Sequence, residues 1–411
     1  MANCQSGGTT MRKRWIFFCN ICLLLTFVLP VFAQDDVFVP PLGWWDTCPT
    51  PQNLPDTIEI GAVLALSGPI AVYGDSQQAG IQLAIDEMND FGYFGDGVRL
   101  NVVYRDSAAT PEQTREIMTE FAEDETILAV IGPTLSTEAF QADPIAQDAG
   151  LVVLGVSNTA VGITDMGDYI FRNSLPEAVV IPGVLEQVLE YYDIEDVIMM
   201  YDGKDSFTRN GATIFRNALD NNDIRVILEY VFMTSDQNFV GHVPYLVRLQ
   251  PDAFVVSALA DEAILAINAI RDAGFTGPII GGNGFNAPAI LLQTDVNSEG
   301  IIAGAAWNRE NPRNNDISDW FVENYQLAYM TQPDQFAAQA YTGAWLIGTA
   351  IRCADSTERS AIRDALAQIQ NFESPLGLFS FDENRDPIHP PVAQIVRDGA
   401  YVVLTDATAS E

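Results

Sequence analysis

Short apolar runs alternate with amphipathic stretches from Ile58 onward, and this alternation predicts the fold. Ile58–Leu66, Leu100–Tyr104, Ile127–Ile131 and Leu151–Leu154 read as strands buried on both faces. A helix with Ile81, Leu83, Ala84, Ile85 and Met88 on its apolar side follows the first run. Thr110-Pro111-Glu112 opens another, with a hydroxyl at the cap and proline in the first turn. Each strand–helix unit takes about thirty residues, which yields a parallel, doubly wound sheet. After Ile170-Phe171-Arg172 the pattern restarts. Helices at Ile181–Tyr191, Gly211–Leu219, Val243–Leu249 and Ala263–Arg271 alternate with strands at Val197–Tyr201, Arg225–Phe232, Ala253–Ser257 and Pro278–Gly281. A second sheet of similar size is expected, with a cleft and a hinge between the two halves. Ile301–Ala306 and the helices Ile317–Tyr329 and Gln335–Ile351 read as additions to the first half. The last strands, Leu378–Phe381 and Ala393–Arg397 with Val402-Val403, are assigned to the second.

The segment before Ile58 changes the picture of where the chain works. Arg12, Lys13 and Arg14 precede an apolar stretch from Trp15 to Val31, and Val31-Phe32-Ala33 forms a small-residue cleavage site. Residues 1–33 therefore read as a cleavable secretory signal, against the alternative of a retained membrane anchor, and the protein is expected outside the cytoplasm. Gln34–Asp56, with five prolines, reads as an extended linker. The net charge of −35 becomes −38 once the three cations of the signal are gone. Such a surface repels nucleic acid and anionic lipid. Cys48 and Cys353 are the cysteines left after the signal; in an oxidising compartment they either form one disulfide or remain two unrelated thiols.

Catalytic signatures are missing. His242 and His389 have no metal-ligand spacing, and neither a Gly-x-Ser-x-Gly elbow nor a phosphate-binding loop occurs. Gly281-Gly282-Asn283-Gly284 follows a strand but lacks the dinucleotide fingerprint. No enzyme, no cofactor and no metal are expected. Polar loops instead recur at the carboxyl ends of strands, where open α/β sheets hold ligands. Ser67-Gly68-Pro69, Thr134-Leu135-Ser136-Thr137 and Gly155-Val156-Ser157-Asn158-Thr159 belong to the first half. The second contributes the loops Asp202–Phe207, Ser257–Asp261 and Gly282–Phe285. Hydroxyl and N–H donors of the first set suit a ligand carboxylate, notably where a helix begins after Ile131.

From Ile58 to about Val403 the chain resembles the type I solute-binding proteins of ABC importers, in the branch that binds leucine, isoleucine and valine. The resemblance rests on Leu66–Asp75, Val130-Ile131-Gly132-Pro133, Gly155-Val156-Ser157-Asn158, Tyr169-Ile170-Phe171-Arg172 and Gln250-Pro251-Asp252-Ala253 in combination. It implies two Rossmann-like lobes joined by three crossovers. The lobes are expected at 57–174 with 303–374, and at 175–302 with 375–404. By the same resemblance Ser136 hydrogen-bonds the ligand carboxylate, while the Val156 carbonyl and Ser157 hydroxyl hold the ammonium and carboxylate groups. Tyr73 forms an aromatic wall, Phe207 stands in place of a tyrosine, and Phe336 lines the apolar part. Leu259 and Ala260 occupy a loop where relatives often carry an aromatic residue. Asn283 takes the place of a glutamate that pairs with the ligand ammonium.

The same residues also fit plainer roles: Thr134, Ser136 and Ser157 as helix or turn caps, Tyr73, Phe207 and Phe336 as core aromatics, Asn283 as a turn residue beside Gly284. The reading that follows is an extracytoplasmic receptor, expected to be a monomer, that delivers a small carboxylate ligand to a membrane permease. A branched-chain or other apolar amino acid is the first ligand class. Amides, urea-like compounds and aromatic carboxylates are the alternative that Asn283 favours, and a ligand sensor for a signalling partner is a further one.

Overall fold

The computed structural model describes residues 48–233 and 237–409; the signal at 1–33 and most of the linker at 34–56 lie outside the described residues. In the first half, β1 (Thr57–Leu64), β2 (Arg99–Asp106), β3 (Ile127–Ile131), β4 (Val152–Gly155) and β5 (Ile170–Arg172) form a parallel sheet. Its strand order is β2-β1-β3-β4-β5. Helices α1 (Ala71–Asp90), α2 (Pro111–Glu123) and α3 (Ser136–Asp148) connect these strands. Every residue of β3 is buried, as its unbroken apolar run requires. Ile117, Met118 and Phe121 of α2 and Ala139 and Ala142 of α3 cover one face. Full burial of a side chain such as Phe121 contributes about 2–3 kcal/mol.

The second half begins with α4 (Glu177–Leu189). It continues through β6 (Asp196–Asp202), α5 (Ser206–Asn221), β7 (Arg225–Phe232), α6 (Val243–Val247) and β8 (Ala253–Ser257). Then come α7 (Ala260–Asp272), β9 (Ile279–Gly281), α8 (Pro288–Thr294) and β10 (Ile301–Ala305). The chain returns to the first half as α9 (Asp316–Tyr329), α10 (Gln335–Ala354) and α11 (Arg359–Ala367). A small antiparallel pair, β11 (Phe372–Ser374) and β12 (Gly377–Phe379), precedes β13 (Val392–Arg397), β14 (Ala400–Val403) and a last turn, α12 (Asp406–Ala409). The second sheet has the order β14-β13-β10-β9-β8-β6-β7.

Two strand assignments made from the sequence are corrected. Residues 301–306 were expected with the first half, and the boundary at 302/303 cuts this strand. β10 instead pairs with β9 and β13 inside the second sheet. Leu378–Phe381 was assigned to the second sheet, yet among the described residues β12 pairs with β11 alone, and Phe381 bridges Pro387. Both errors have one cause: a local apolar run reveals a strand but not its neighbour.

The chain crosses between the sheets at 173–176, 306–315 and 380–391. Buried polar contacts pin these crossovers. Arg172, 2% exposed, pairs with Asp386 at 2.6 Å and also donates to the Ala160 carbonyl. The Asn173 amide donates to the Gln339 carbonyl at 2.7 Å, and the Ala306 N–H donates to the Gln335 side chain at 2.9 Å. Cys48 and Cys353 are joined in a disulfide, tying the segment before β1 to the end of α10. The N–H groups of Gln52 and Asn53 both donate to Asp355 just beyond it.

Candidate functional site

β3 is followed by Gly132, whose φ is +111° and where a Cβ would stand 2.2 Å from the Val63 carbonyl oxygen, so no side chain fits. That tight exit presents Thr134 and Leu135 and starts α3 at Ser136, beside the end of β4. The Glu138 carboxylate turns back to accept the Leu135 N–H at 2.9 Å. The amides of Ser136 and Thr137 open a 13-residue helix, so they face outward with its positive dipole end. The Ser136 hydroxyl accepts from the Ala160 N–H at 3.2 Å and retains its own proton to donate.

Behind this edge lies a closed network. The Thr134 hydroxyl accepts from the Ala65 N–H and donates to Gln77 Oε1, at 3.0 and 2.7 Å. Gln77 Nε2 donates to the Ser157 hydroxyl, which donates to the Thr134 carbonyl, both at 2.5 Å. Gln77 is fully buried.

The second half closes over this edge. The Tyr73 hydroxyl donates to the Gly284 carbonyl and accepts from the Ala260 N–H, at 3.0 and 2.9 Å. Burial pushes its pKa upward, so it stays a neutral phenol. Its ring meets Phe336 edge to face, with centroids 4.8 Å apart. The Thr137 hydroxyl donates to Asp205 at 2.6 Å, and the Ser206 N–H donates to the Thr137 oxygen. Asp205 also caps α5 through the Thr208 N–H. Asn283 donates to the Ser157 carbonyl at 3.3 Å and accepts from Gln335 at 2.5 Å. Its own N–H donates to Glu177 Oε1 at 2.8 Å. Glu177 is 1% exposed, and burial raises its pKa to about 7, partly countered by that N–H.

Tyr73, Thr134, Leu135, Ser136, Ser157, Phe207, Leu259, Asn283 and Phe336 line one gap between the halves, with Asp205 and Gly284. The gap is nearly shut in this structure, with about 20 Å³ of free space. Two expected residues lie outside it. The Val156 side chain packs against Gly343 of α10, and the Asn158 amide clamps the Pro133 carbonyl beneath the loop. Asp205 and Gly284 lie in loops that the sequence marked as ligand-facing, but Gln77, Gln335 and Glu177 were missed. Gln77 left a signal, being a polar residue one turn before Ile81 on the apolar side of α1. Glu177 left none, as one acid among 55 at the ordinary first-turn position of a helix. Among the described residues no group of three or more His, Cys, Asp or Glu is arranged to hold a metal ion.

The two sheets, the crossovers between them and the lined gap match a family pattern along nearly the whole described chain: residues 57–400 fit the periplasmic binding protein model. The chain belongs to the periplasmic binding protein family. Among its relatives, the leucine-, isoleucine-, valine-, threonine- and alanine-binding protein of Pseudomonas aeruginosa is 26% identical over 333 residues, covering 80% of this chain and 87% of that one. The Leu/Ile/Val-binding protein BraC3 of Rhizobium johnstonii is 24% identical over 334 residues, covering 80% and 88%. This periplasmic binding protein also superposes on LivJ of Streptococcus pneumoniae, a branched-chain amino acid transporter substrate-binding protein solved with isoleucine. There the TM-score is 0.79 at 26% identity, over 85% of this chain and 99% of that one. A solute-binding protein of R. palustris solved with benzoate shares the fold, with a TM-score of 0.75 at 20% identity over 85% and 96%.

Proposed function

We propose that this chain is the extracytoplasmic substrate-binding protein of an ABC importer, taking a small apolar amino acid in the gap between its halves and handing it to a membrane permease. One observation carries the reading: at one end of the gap the Ser136 hydroxyl and the first amides of α3 offer donors to a carboxylate. Beyond them, Tyr73, Phe207, Leu259 and Phe336 form apolar walls. A carboxylate meets uncompensated N–H groups and a helix N-terminus there, and an aliphatic side chain meets rings and methyls. The branched-chain binders among the relatives point to the same ligand class.

Closure is a hinge motion at the three crossovers, with ligand binding shifting an open–closed population. Tyr73, Thr137 and Asn283 make contacts that only the closed form allows. The net charge of −35 suits a small solute and not a nucleic acid. The cationic Arg12–Arg14 followed by the apolar stretch to Ala33 supports export from the cytoplasm, and outside it the chain acts as a monomer without cofactor.

A second reading has its own support: the amide of Asn283, together with the benzoate-bound relative, fits an aromatic or other amine-free carboxylate. A thermal-shift panel on the purified protein decides between them. L-leucine, L-isoleucine, L-valine and L-alanine are expected to raise the melting temperature, and benzoate and short-chain amides to leave it unchanged. A shift with benzoate and none with any amino acid overturns the amino-acid reading.

A further inference from the structure

An amino acid brings a buried ammonium as well as a carboxylate, and the residue at the second end of the gap carries no charge. Asn283 is a neutral amide whose two side-chain ends are already engaged, by the Ser157 carbonyl and by Gln335. A buried ammonium facing it alone pays most of its desolvation without return. Of three aspartates near the gap, two have other tasks and one lies toward solvent. Both oxygens of Asp205 are used, on the Thr137 hydroxyl and the Thr208 N–H. Asp202 accepts the Lys204 N–H, and Asp261 is half-buried at the rim.

Glu177 differs from all of these. It lies directly behind the Gly282–Asn283 wall, with Oε1 on the Asn283 N–H. Its other oxygen, Oε2, is buried and has no hydrogen-bond partner among the described residues. No cation contributes to its environment. Gly282 makes the approach possible: a Cβ there would stand 2.6 and 2.7 Å from the two carboxylate oxygens. A carboxylate buried at that depth without a counter-ion is unfavourable unless something positive arrives.

We propose that Glu177 supplies the negative charge for the ligand's ammonium group, acting as a positioning residue across the Gly282–Asn283 wall. This rests on the amino-acid reading above and says how a zwitterion is accepted where Asn283 offers no charge. It assigns the discrimination between an amino acid and the same acid without its amine to one side chain.

The test is calorimetric titration with L-leucine and with 4-methylpentanoate, which is leucine without its amino group. Wild type is expected to prefer L-leucine by at least about a hundredfold, as a paired buried charge implies. In Glu177→Gln, L-leucine binding is expected to fall by at least about thirtyfold, while 4-methylpentanoate moves less than about threefold. Asp205→Asn is expected to keep the preference. Equal losses for both ligands in Glu177→Gln would reduce Glu177 to a support for the 282–283 turn and overturn the proposal. So would a loss of the preference in Asp205→Asn alone. The wild-type ratio stands even if a variant does not fold, and a ratio near one overturns the proposal while leaving a carboxylate site intact. Binding of neither compound, nor of any amino acid, removes the amino-acid reading itself.

Discussion

The two halves meet the gap in different ways. The first presents a finished surface: Gln77, Thr134 and Ser157 hydrogen-bond one another behind it, and Ser136 and the α3 amides stand in front. The second is held to that surface by a handful of hydrogen bonds, from Tyr73 to Gly284 and Ala260, Thr137 to Asp205, and Asn283 to Ser157. The contrast assigns orientation of the ligand head group to a rigid half, and capture to a half that comes and goes. Preorganised donors lose little entropy when the ligand arrives, and a few closing bonds keep the closed form from being so stable that nothing is released.

Several buried carboxylates have a lifted pKa, Glu87, Glu138 and Asp143 in the first half and Glu177 in the second, and these give the largest effect. Glu87 on α1, hydrogen-bonded by Tyr341 and Trp320, is raised to about 7 by burial, which outweighs those bonds. Glu177 is raised to about 7 for the same reason. Folded protein therefore holds protons between about pH 4.5 and 7 that the unfolded chain has released, so stability must fall as pH rises across that window. With about 1.4 kcal/mol per pKa unit, each group contributes a loss of about 3 kcal/mol. Carboxylates held low, such as Asp196 beside Arg225, act only below the ordinary carboxylate range. Urea unfolding at pH 5 and pH 7.5 measures the slope, and Glu87→Gln is expected to reduce it. A slope unchanged by Glu87→Gln contradicts the assignment.

Removing the support of the first half is the next largest change. Gln77→Ala leaves the Thr134 and Ser157 hydroxyls short of partners and should cost about 3 kcal/mol of stability, read by urea unfolding. A loss below about 1 kcal/mol would mean the surface is not held from behind. Ser136→Ala acts on the front of the same surface. It is expected to weaken amino-acid binding by about 2 kcal/mol in calorimetry while leaving the melting temperature of the empty protein nearly unchanged. Tyr73→Phe tests the second half: losing the hydroxyl between Gly284 and Ala260 should weaken binding by about 1 kcal/mol. Small-angle scattering should then show the ligand-bound population moving toward the open form. Equal affinity and an unchanged scattering profile would make Tyr73 a wall and not a latch.

Much of this was legible in the sequence because burial on both faces of a parallel sheet writes itself as unbroken apolar runs. β3 and the five apolar residues Ile127–Ile131 coincide, and α2 starts at Pro111 as read, although the Thr110 hydroxyl donates to the Ser107 carbonyl and caps nothing. Helix α8 was not legible, since Pro288, which occupies its first turn, marks a loop as readily as a helix start. The place of β10 was not legible either. It pairs with β9 at one edge and with β13, some ninety residues later, at the other. On the site, the loops after β3 and β4 announced themselves by hydroxyls beside strand ends. Asn158 belongs to such a loop, yet its side chain turns inward to the Pro133 carbonyl, because the motif does not say which residue faces out. Glu177 escaped notice because its chemistry depends on Gly282 and Asn283, about a hundred residues away.

The central claim is that the first half grips a carboxylate while the apolar walls hold the rest of an amino acid, and a crystal structure with L-leucine tests it most directly. The account predicts a carboxylate oxygen within about 3.2 Å of Ser136 Oγ and of an α3 first-turn amide, with the ammonium turned toward Asn283. Density placing the carboxylate at the Asn283 end, or leucine anywhere outside the gap, would contradict it.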